Sequence, residues 1–465
     1  MRYTSASMQK LALSPRKQTA LLGTILGLAS LALHAIPFFL FGRHPLGYDT
    51  GFYRRYLIEP ITSFPNASVP GLGDDAFIVR MFLDILRFLH LPTDLILYGS
   101  YLAFWALMPV LLFFFLKLYL QKHGAFIAGL LLVGSSVAYN GYWYFLLKNA
   151  LALNLILLAF IAIERRWSSA WFVLDIAIVL THKTSAIIYI LTLIALFIFS
   201  RGRRNEYALH IIIAGALFAL INAPTVHELS VALPSAVFLD WQTYLWLSLP
   251  FILAIAVAGK TFLKYKIPST LLALAGVSLL FPLFRLPFYE RVFIFLDITL
   301  AGLAGYGIHS ILSSVKSAWG TKQVFMPFMF LALFVGLFLG NLWNQVTSTL
   351  PLISNEQILR IEEIAKVIPA EATILTTSDE APWFEGWTNA HIAAPGMLND
   401  NHNLEAWTEL WSGASTEQKI KFLDDFQKPL YISTFYAIED IIGKAPECVH
   451  KVAENLWLVA CEKSK

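Results

Sequence analysis

The apolar residues of this chain fall into long unbroken runs separated by short polar breaks. The first run, Thr19 to Phe41, exceeds the roughly 20 residues that a helix needs to cross a hydrocarbon core of about 30 Å. Further runs are Leu95 to Leu116, Ala125 to Ala138, Phe145 to Ile163, Ala170 to Leu180, Ser185 to Phe199 and Ala208 to Ile221. Leu245 to Ala258, Ser269 to Phe284, Val292 to Ile311 and Val324 to Trp343 complete the set. The predicted fold is therefore an α-helical polytopic membrane protein with about 11 transmembrane helices. Two of these, Ala170 to Leu180 and Ser185 to Phe199, are unusually short.

Two stretches depart from this pattern. Residues 43–93 form a long polar segment in which Ala76 to His90 places Phe77, Met81, Ile85 and Phe88 near helical spacing, with Arg80, Asp84 and Arg87 on another face. That pattern predicts an amphipathic helix lying on the membrane surface. Residues 351–465 mix strand-like runs, Ala372 to Thr377 and Pro429 to Thr434, with a helical pattern over Ser415 to Phe426. They predict a small water-soluble α/β domain following a transmembrane domain over 1–345.

Composition agrees with the pattern: 57% of residues are hydrophobic and only 14% charged. The net charge of +3 gives no reason to expect nucleic acid, because the basic residues sit in loops flanking the apolar runs. Their distribution sets an orientation instead. Lys117 and Lys122, Arg165 and Arg166, Arg201, Arg203 and Arg204, Lys260, Lys264 and Lys266, and Lys316 and Lys322 all fall on one side. Positive residues flank cytoplasmic ends, so the N-terminus is predicted to be cytoplasmic. The 43–93 loop and the C-terminal domain are then extracytoplasmic. Arg2, Lys10, Arg16 and Lys17 resemble the start of a signal peptide, but the run behind them is too long and lacks a cleavage site, so a retained helix is expected.

The last residues bear on the compartment. Val449 to Ala453 and Leu456 to Ala460 read as two strands around Glu454-Asn455, with Cys448 and Cys461 equidistant from the turn. A two-residue hairpin would set them opposite each other at a spacing that permits a disulfide; unpaired structural cysteines are the alternative. Asn66-Ala67-Ser68 matches a glycosylation sequon, a pattern too common to carry weight.

Candidate chemistry gathers at the outer ends of the runs. Asp49 lies just outside the first run, between Gly47 and Gly51 and among Tyr48, Phe52 and Tyr53. Glycines let a backbone turn tightly and approach a ligand, although a solvated interfacial loop has the same look. Thr181-His182-Lys183-Thr184 joins the two short runs, where a basic pair is costly unless it faces water or an anion; snorkelling is the alternative. Arg285 and Arg291 bracket the turn Leu286-Pro287-Phe288-Tyr289-Glu290, and arginine forks suit phosphate, lipid headgroups or Glu290. Asp74 and Asp75 precede the amphipathic helix, where they either cap it or supply a second acid. Tyr139 to Tyr144 reads as an aromatic interface belt, with sugar stacking the alternative, while His34 and Asn154 read as packing or interhelical hydrogen bonds. Trp383, Trp387, Asn389, His391 and Trp407 offer either a sugar-binding surface or a small aromatic core.

Asp49 in a long first outer loop, the amphipathic helix, the THKTS turn, the arginines of RLPFYERV and a soluble outer C-terminal domain together resemble the GT-C superfamily of integral-membrane glycosyltransferases. That superfamily includes polyprenyl-phosphate-sugar-dependent mannosyltransferases and aminoarabinose transferases. Its members commonly carry an acidic pair or Asp-x-Asp in the first loop; here Tyr48 and Thr50 flank Asp49. The resemblance implies a glycosyltransferase that moves a sugar from a polyprenyl-phosphate carrier to a glycan, lipid or protein acceptor on the outer side. Asp49 would act as general base, with inversion at the anomeric carbon. His182, Lys183, Arg285 and Arg291 would bind the donor phosphate. No cofactor is required, although Asp49 with Asp74 or Asp75 would offer oxygen ligands to a divalent cation.

Two other classes fit parts of the chain. Asp175 and Asp297 fall within apolar runs, where acids mark ion pathways or serve as structural hydrogen bonders, so a transporter or flippase is a rival reading. A non-catalytic envelope assembly protein would instead work through its C-terminal domain.

Overall fold

The structure is a computed structural model. It describes residues 14–42, 46–47, 49–58, 77–222, 239–259, 267–286, 289–319, 324–395, 402, 404–412, 415–433 and 448–460. Two compact units form: a helical unit of Met1–Ile36, Ser100–Tyr142 and Leu146–Thr349, and a sheet unit of Pro37–Gly99, Trp143–Phe145 and Leu350–Lys465. The first loop thus shares a unit with the C-terminal segment.

The helices in chain order are α1 Pro15–Phe41, α2 Thr50–Ile58, α3 Phe77–Arg87, α4 Thr93–Leu116, α5 Lys122–Val133, α6 Ser136–Trp143 and α7 Leu147–Arg165. They continue with α8 Ser168–Val179, α9 Lys183–Phe199, α10 Arg204–Asn222, α11 Trp241–Val257, α12 Ser269–Leu283, α13 Tyr289–Ala318 and α14 Phe325–Ser348. Among the described residues, six helices are long and apolar enough to cross a membrane. A seventh span forms if α5 and α6, bent by 44°, count as one. Helices α8, α9, α11 and α12 are apolar but shorter.

In the helical unit, α13 packs against α5, α11 and α12. Close approach is possible because small residues meet there: a Cβ on Gly307 would lie 2.5 Å from the carbonyl oxygen of Ala254 on α11. Polar side chains in this interior are tied across helices. The Asn154 amide donates to the Phe104 carbonyl at 2.9 Å, and Ser30 Oγ donates to the Trp105 carbonyl at 3.0 Å. His34 Nδ1 donates to the Ser30 carbonyl at 2.8 Å while its ring stacks on Trp105. The segment expected to be an interface belt is interior instead, with Tyr139 and Tyr142 buried. Tyr142 stacks on Tyr101 and donates its hydroxyl to the His34 carbonyl at 2.6 Å. Hydroxyls that find carbonyls inside a bundle have no need of an interface.

The sheet unit holds α15 Asn355–Val367, α16 Ala381–Trp387, α17 Leu404–Ser412 and α18 Thr416–Asp424 with five strands: β1 Thr373–Leu375, β2 His391–Ala393, β3 Leu430–Ile432, β4 Val449–Ala453 and β5 Leu456–Val459. The strand order is β2-β1-β3-β5-β4, parallel across the first three and antiparallel across the last three. Alternation along the strands fills two cores. Ile374 and Tyr431 pack with Ile358, Ile361, Trp383 and Phe384 on one face, and Leu375, Leu430 and Ile432 with Trp407, Leu410 and Leu423 on the other. Trp383 and Trp407 therefore belong to the interior, whereas Asn389 and His391 are exposed.

Between β4 and β5 the pairing shifts at Lys451 to Ala453, so Val449 faces Val459 and the Ala460 amide donates to the Cys448 carbonyl at 2.8 Å. This irregularity sets Cys448 opposite Ala460 rather than Cys461, one residue from the symmetric register, because an extra residue sits on one strand. Cys461 itself lies outside the described residues.

Candidate active site

Asp49 stands immediately before α2. Its carbonyl accepts the Tyr53 amide at 3.2 Å, the first bond of the helix, which places it at the N-cap with a half-buried side chain. The turn before it is sterically fixed. Gly47 has φ +36°, and a Cβ there would lie 2.6 Å from the Cβ of Phe145, so no other residue fits. Phe145 itself has φ +58°, a conformation rare for a bulky residue, and is fully buried against Tyr53 and Tyr98. Thr50 completes the turn by donating its hydroxyl to the Leu46 carbonyl at 2.7 Å.

The helix that carries Asp49 is held by contacts that the sequence alone did not disclose. At the crossing of α2 and α16, a Cβ on Gly386 would lie 2.5 Å from Gly51 Cα, so the two backbones touch. Arg55 is buried, donating to the Thr388 carbonyl at 2.7 Å, with its Nε 3.7 Å from Glu385. Arg54 pairs with Asp94 at 3.0 Å, donates to the Gly386 carbonyl and lies 4.4 Å over the Trp387 ring. Two cations thus gather at the C-terminal end of α16, where free carbonyls attract them. Helix α3 joins through buried Arg80, which lies 5.5 Å over the Tyr56 ring, while Met81, Ile85 and Phe88 on its apolar stripe are exposed. Asp74 and Asp75 lie outside the described residues. Among the described residues no group of three or more His, Cys, Asp or Glu side chains comes together to hold a metal ion.

The candidate phosphate ligands belong to the helical unit. His182 is the N-cap of α9, buried, with Nδ1 2.9 Å from Ser185 Oγ. Burial and this bond hold the ring inside rather than snorkelling, without a capping bond to the α9 amides, and Lys183 follows as the first helical residue, half-buried. Arg285 is exposed at φ +49° just past α12. The Leu286 amide reaches the Phe281 carbonyl at 2.9 Å and the Arg285 amide the Pro282 carbonyl at 3.4 Å, the Schellman arrangement that usually takes glycine. Arg291 is half-buried in the first turn of α13.

These cations share one end of the bundle. Phe199 of α9 and Ser269 of α12 line the same groove of about 450 Å³. From that shared end each helix runs back to its cation, α9 to Lys183 and α12 toward Arg285, over about 24 Å in both cases. Lys183 and Arg285 therefore both lie toward the end of this helix pair away from Phe199 and Ser269, and Arg291 is in the first turn of α13. The N-terminal amides of α9 add partial positive charge at that end.

Asp175 serves a different role. Fully buried in α8, it accepts the Tyr189 hydroxyl at 2.6 Å and a bond from His210, whose ring stacks on Trp171 at 3.4 Å. Trp171 Nε1 donates to Tyr189 Oη at 2.9 Å, so the group closes on itself across α8, α9 and α10.

No family model matches the chain, and no curated protein matches its sequence. Solved structures do resemble it. The archaeal oligosaccharyltransferase AglB from Archaeoglobus fulgidus, in complex with an inhibitory peptide and a dolichol-phosphate, superposes with a TM-score of 0.63 at 11% identity, covering 92% of this chain and 70% of that one. ArnT from Cupriavidus metallidurans bound to undecaprenyl phosphate gives 0.58 at 12% identity, covering 97% and 99%. Both are GT-C glycosyltransferases, and at such identity the likeness is one of fold. The chain has the GT-C fold, and its apolar helices make it an integral membrane protein.

Proposed function

We propose that this protein is a membrane glycosyltransferase that moves a sugar from a polyprenyl-phosphate carrier to an acceptor on the outer side of the membrane. The observation that carries the reading is the fixed turn at Gly47, which holds the Asp49 carboxyl at the head of a helix riveted by Arg54 and Arg55. A general base works only if it is held in place. The dolichol-phosphate and undecaprenyl phosphate of the two fold relatives support a carrier of the same class here.

In this reading Asp49 takes the proton of an acceptor hydroxyl as its oxygen bonds to the anomeric carbon. The bond from that carbon to the phosphate oxygen breaks, and polyprenyl phosphate leaves with the electron pair. Lys183, Arg285 and Arg291 neutralise the charge on the departing phosphate, with His182 fixing the start of α9. One displacement inverts the anomeric centre. The short helices α8, α9, α11 and α12 cross with the seven longer spans, giving eleven, a cytoplasmic N-terminus and an extracytoplasmic α/β domain over 351–465.

The test is transfer from radiolabelled polyprenyl-phosphate sugars to membrane acceptors, comparing the intact protein with Asp49→Asn. The variant keeps the carbonyl that starts α2, so folding should survive while transfer falls by about 10²-fold or more. Equal transfer by both proteins removes Asp49 as the base.

A further inference from the structure

Asp297 is, with Asp175, a fully buried acid that the proposed transfer does not use. It is fully buried in α13, and Ser135 Oγ donates to its Oδ2 at 2.7 Å. Ser135 lies at the 44° break between α5 and α6, and its hydroxyl oxygen also accepts the Ala138 amide at 3.2 Å. Asp297 Oδ1 has no hydrogen-bond partner among the described residues, and Tyr244 Oη and Ser248 Oγ on α11 find none there beyond each other. Tyr244 and Ser248 are as deeply buried as Asp297.

These three groups lie along the contact between α11 and α13. The Tyr244 ring stacks on Phe293 with centroids 4.2 Å apart, and farther along the same helices Ala254 meets Gly307. Helices α11 and α13 therefore run in the same direction. One turn beyond the stacked rings, four residues along each helix, come Ser248 and Asp297. Ser135 bonds the acid from the broken span, and Tyr244 on α11 is near enough to feel its charge, with Ser248 one turn farther along α11.

Among the described residues no lysine, arginine or histidine bonds this carboxyl. A carboxylate inside a membrane bundle needs a cation partner or a proton, and buried hydroxyls beside it need partners of their own. A carboxylate and three hydroxyls are hard oxygen donors, and broken helices are where membrane proteins coordinate small cations. We infer that Asp297, Ser135, Ser248 and Tyr244 form a binding site for one monovalent cation of sodium's class, a site that stabilises the break between α5 and α6.

Thermal unfolding of the full chain, with sodium chloride exchanged for choline chloride at constant ionic strength, tests this without any transfer assay. Sodium should raise the Tm saturably by about 2 °C or more. Asp297→Asn should abolish the response, and Ser248→Ala and Tyr244→Phe should move it to higher sodium. The two hydroxyl variants carry the test if Asp297→Asn does not fold. A melting temperature indifferent to which cation is present overturns the proposal, as does an unchanged sodium response in all the variants.

Discussion

Gly51 of α2 and Gly386 of α16 touch backbone to backbone, 335 positions apart in the sequence by subtraction of their numbers. A Cβ on Gly51 would overlap the Pro382 carbonyl, and that carbonyl cannot rotate away from its own helix. Gly51→Ala should therefore lower stability by about 1–3 kcal/mol through overpacking. Thermal unfolding of the purified chain measures it, and an unchanged melting temperature would show that the two helices separate freely.

Arg55 and Glu385 make a buried pair, so removing one partner strands the other. Arg55→Ala should cost about 3–5 kcal/mol, with part recovered when Glu385→Gln is added. A double-mutant cycle on unfolding free energies reads the coupling; additive losses would mean that the carbonyl of Thr388, not Glu385, is what Arg55 serves.

Arg285 separates charge from backbone. Its left-handed conformation costs an L-residue about 1 kcal/mol that glycine avoids, so Arg285→Gly should hold or raise the melting temperature. Transfer should nevertheless fall, since the guanidinium is lost. Transfer at the wild-type rate would leave Arg285 outside the donor site.

Asp175→Asn should destabilise the α8, α9 and α10 packing by about 1–3 kcal/mol, because it weakens bonds from both Tyr189 and His210. Transfer per folded molecule should stay the same. A loss of transfer at intact stability would move this closed group from structure into mechanism.

The runs of apolar residues disclosed the helices because a bilayer imposes its length on whatever crosses it. Helix α3 was equally legible, since its stripe of Phe77, Met81 and Ile85 repeats at helical spacing. Helix α2 was not. Its buried face carries Gly51, Tyr53, Arg55 and Tyr56, residues chosen for a partner more than three hundred positions away, and they give no amphipathic pattern. The same holds for Tyr139 and Tyr142, whose aromatic run looks interfacial until His34 and Tyr101 supply interior partners. Of the proposed site, the residue types at the ends of the runs were visible. That His182 stands buried at a helix N-cap follows only from where α9 starts, and that Lys183 and Arg285 share an end of their helix pair only from how α9 and α12 pack.

The grip of Arg55 on the Thr388 carbonyl spans 333 residues, and so fixes an order of events during synthesis. When the ribosome has made α2 and the segment carrying Asp49, the carbonyls that anchor them have yet to be translated. The helical bundle is finished first, and only then does α16 arrive to clamp the loop. A nascent or truncated chain stopping short of Thr388 would carry Asp49 on a turn that lacks this anchor.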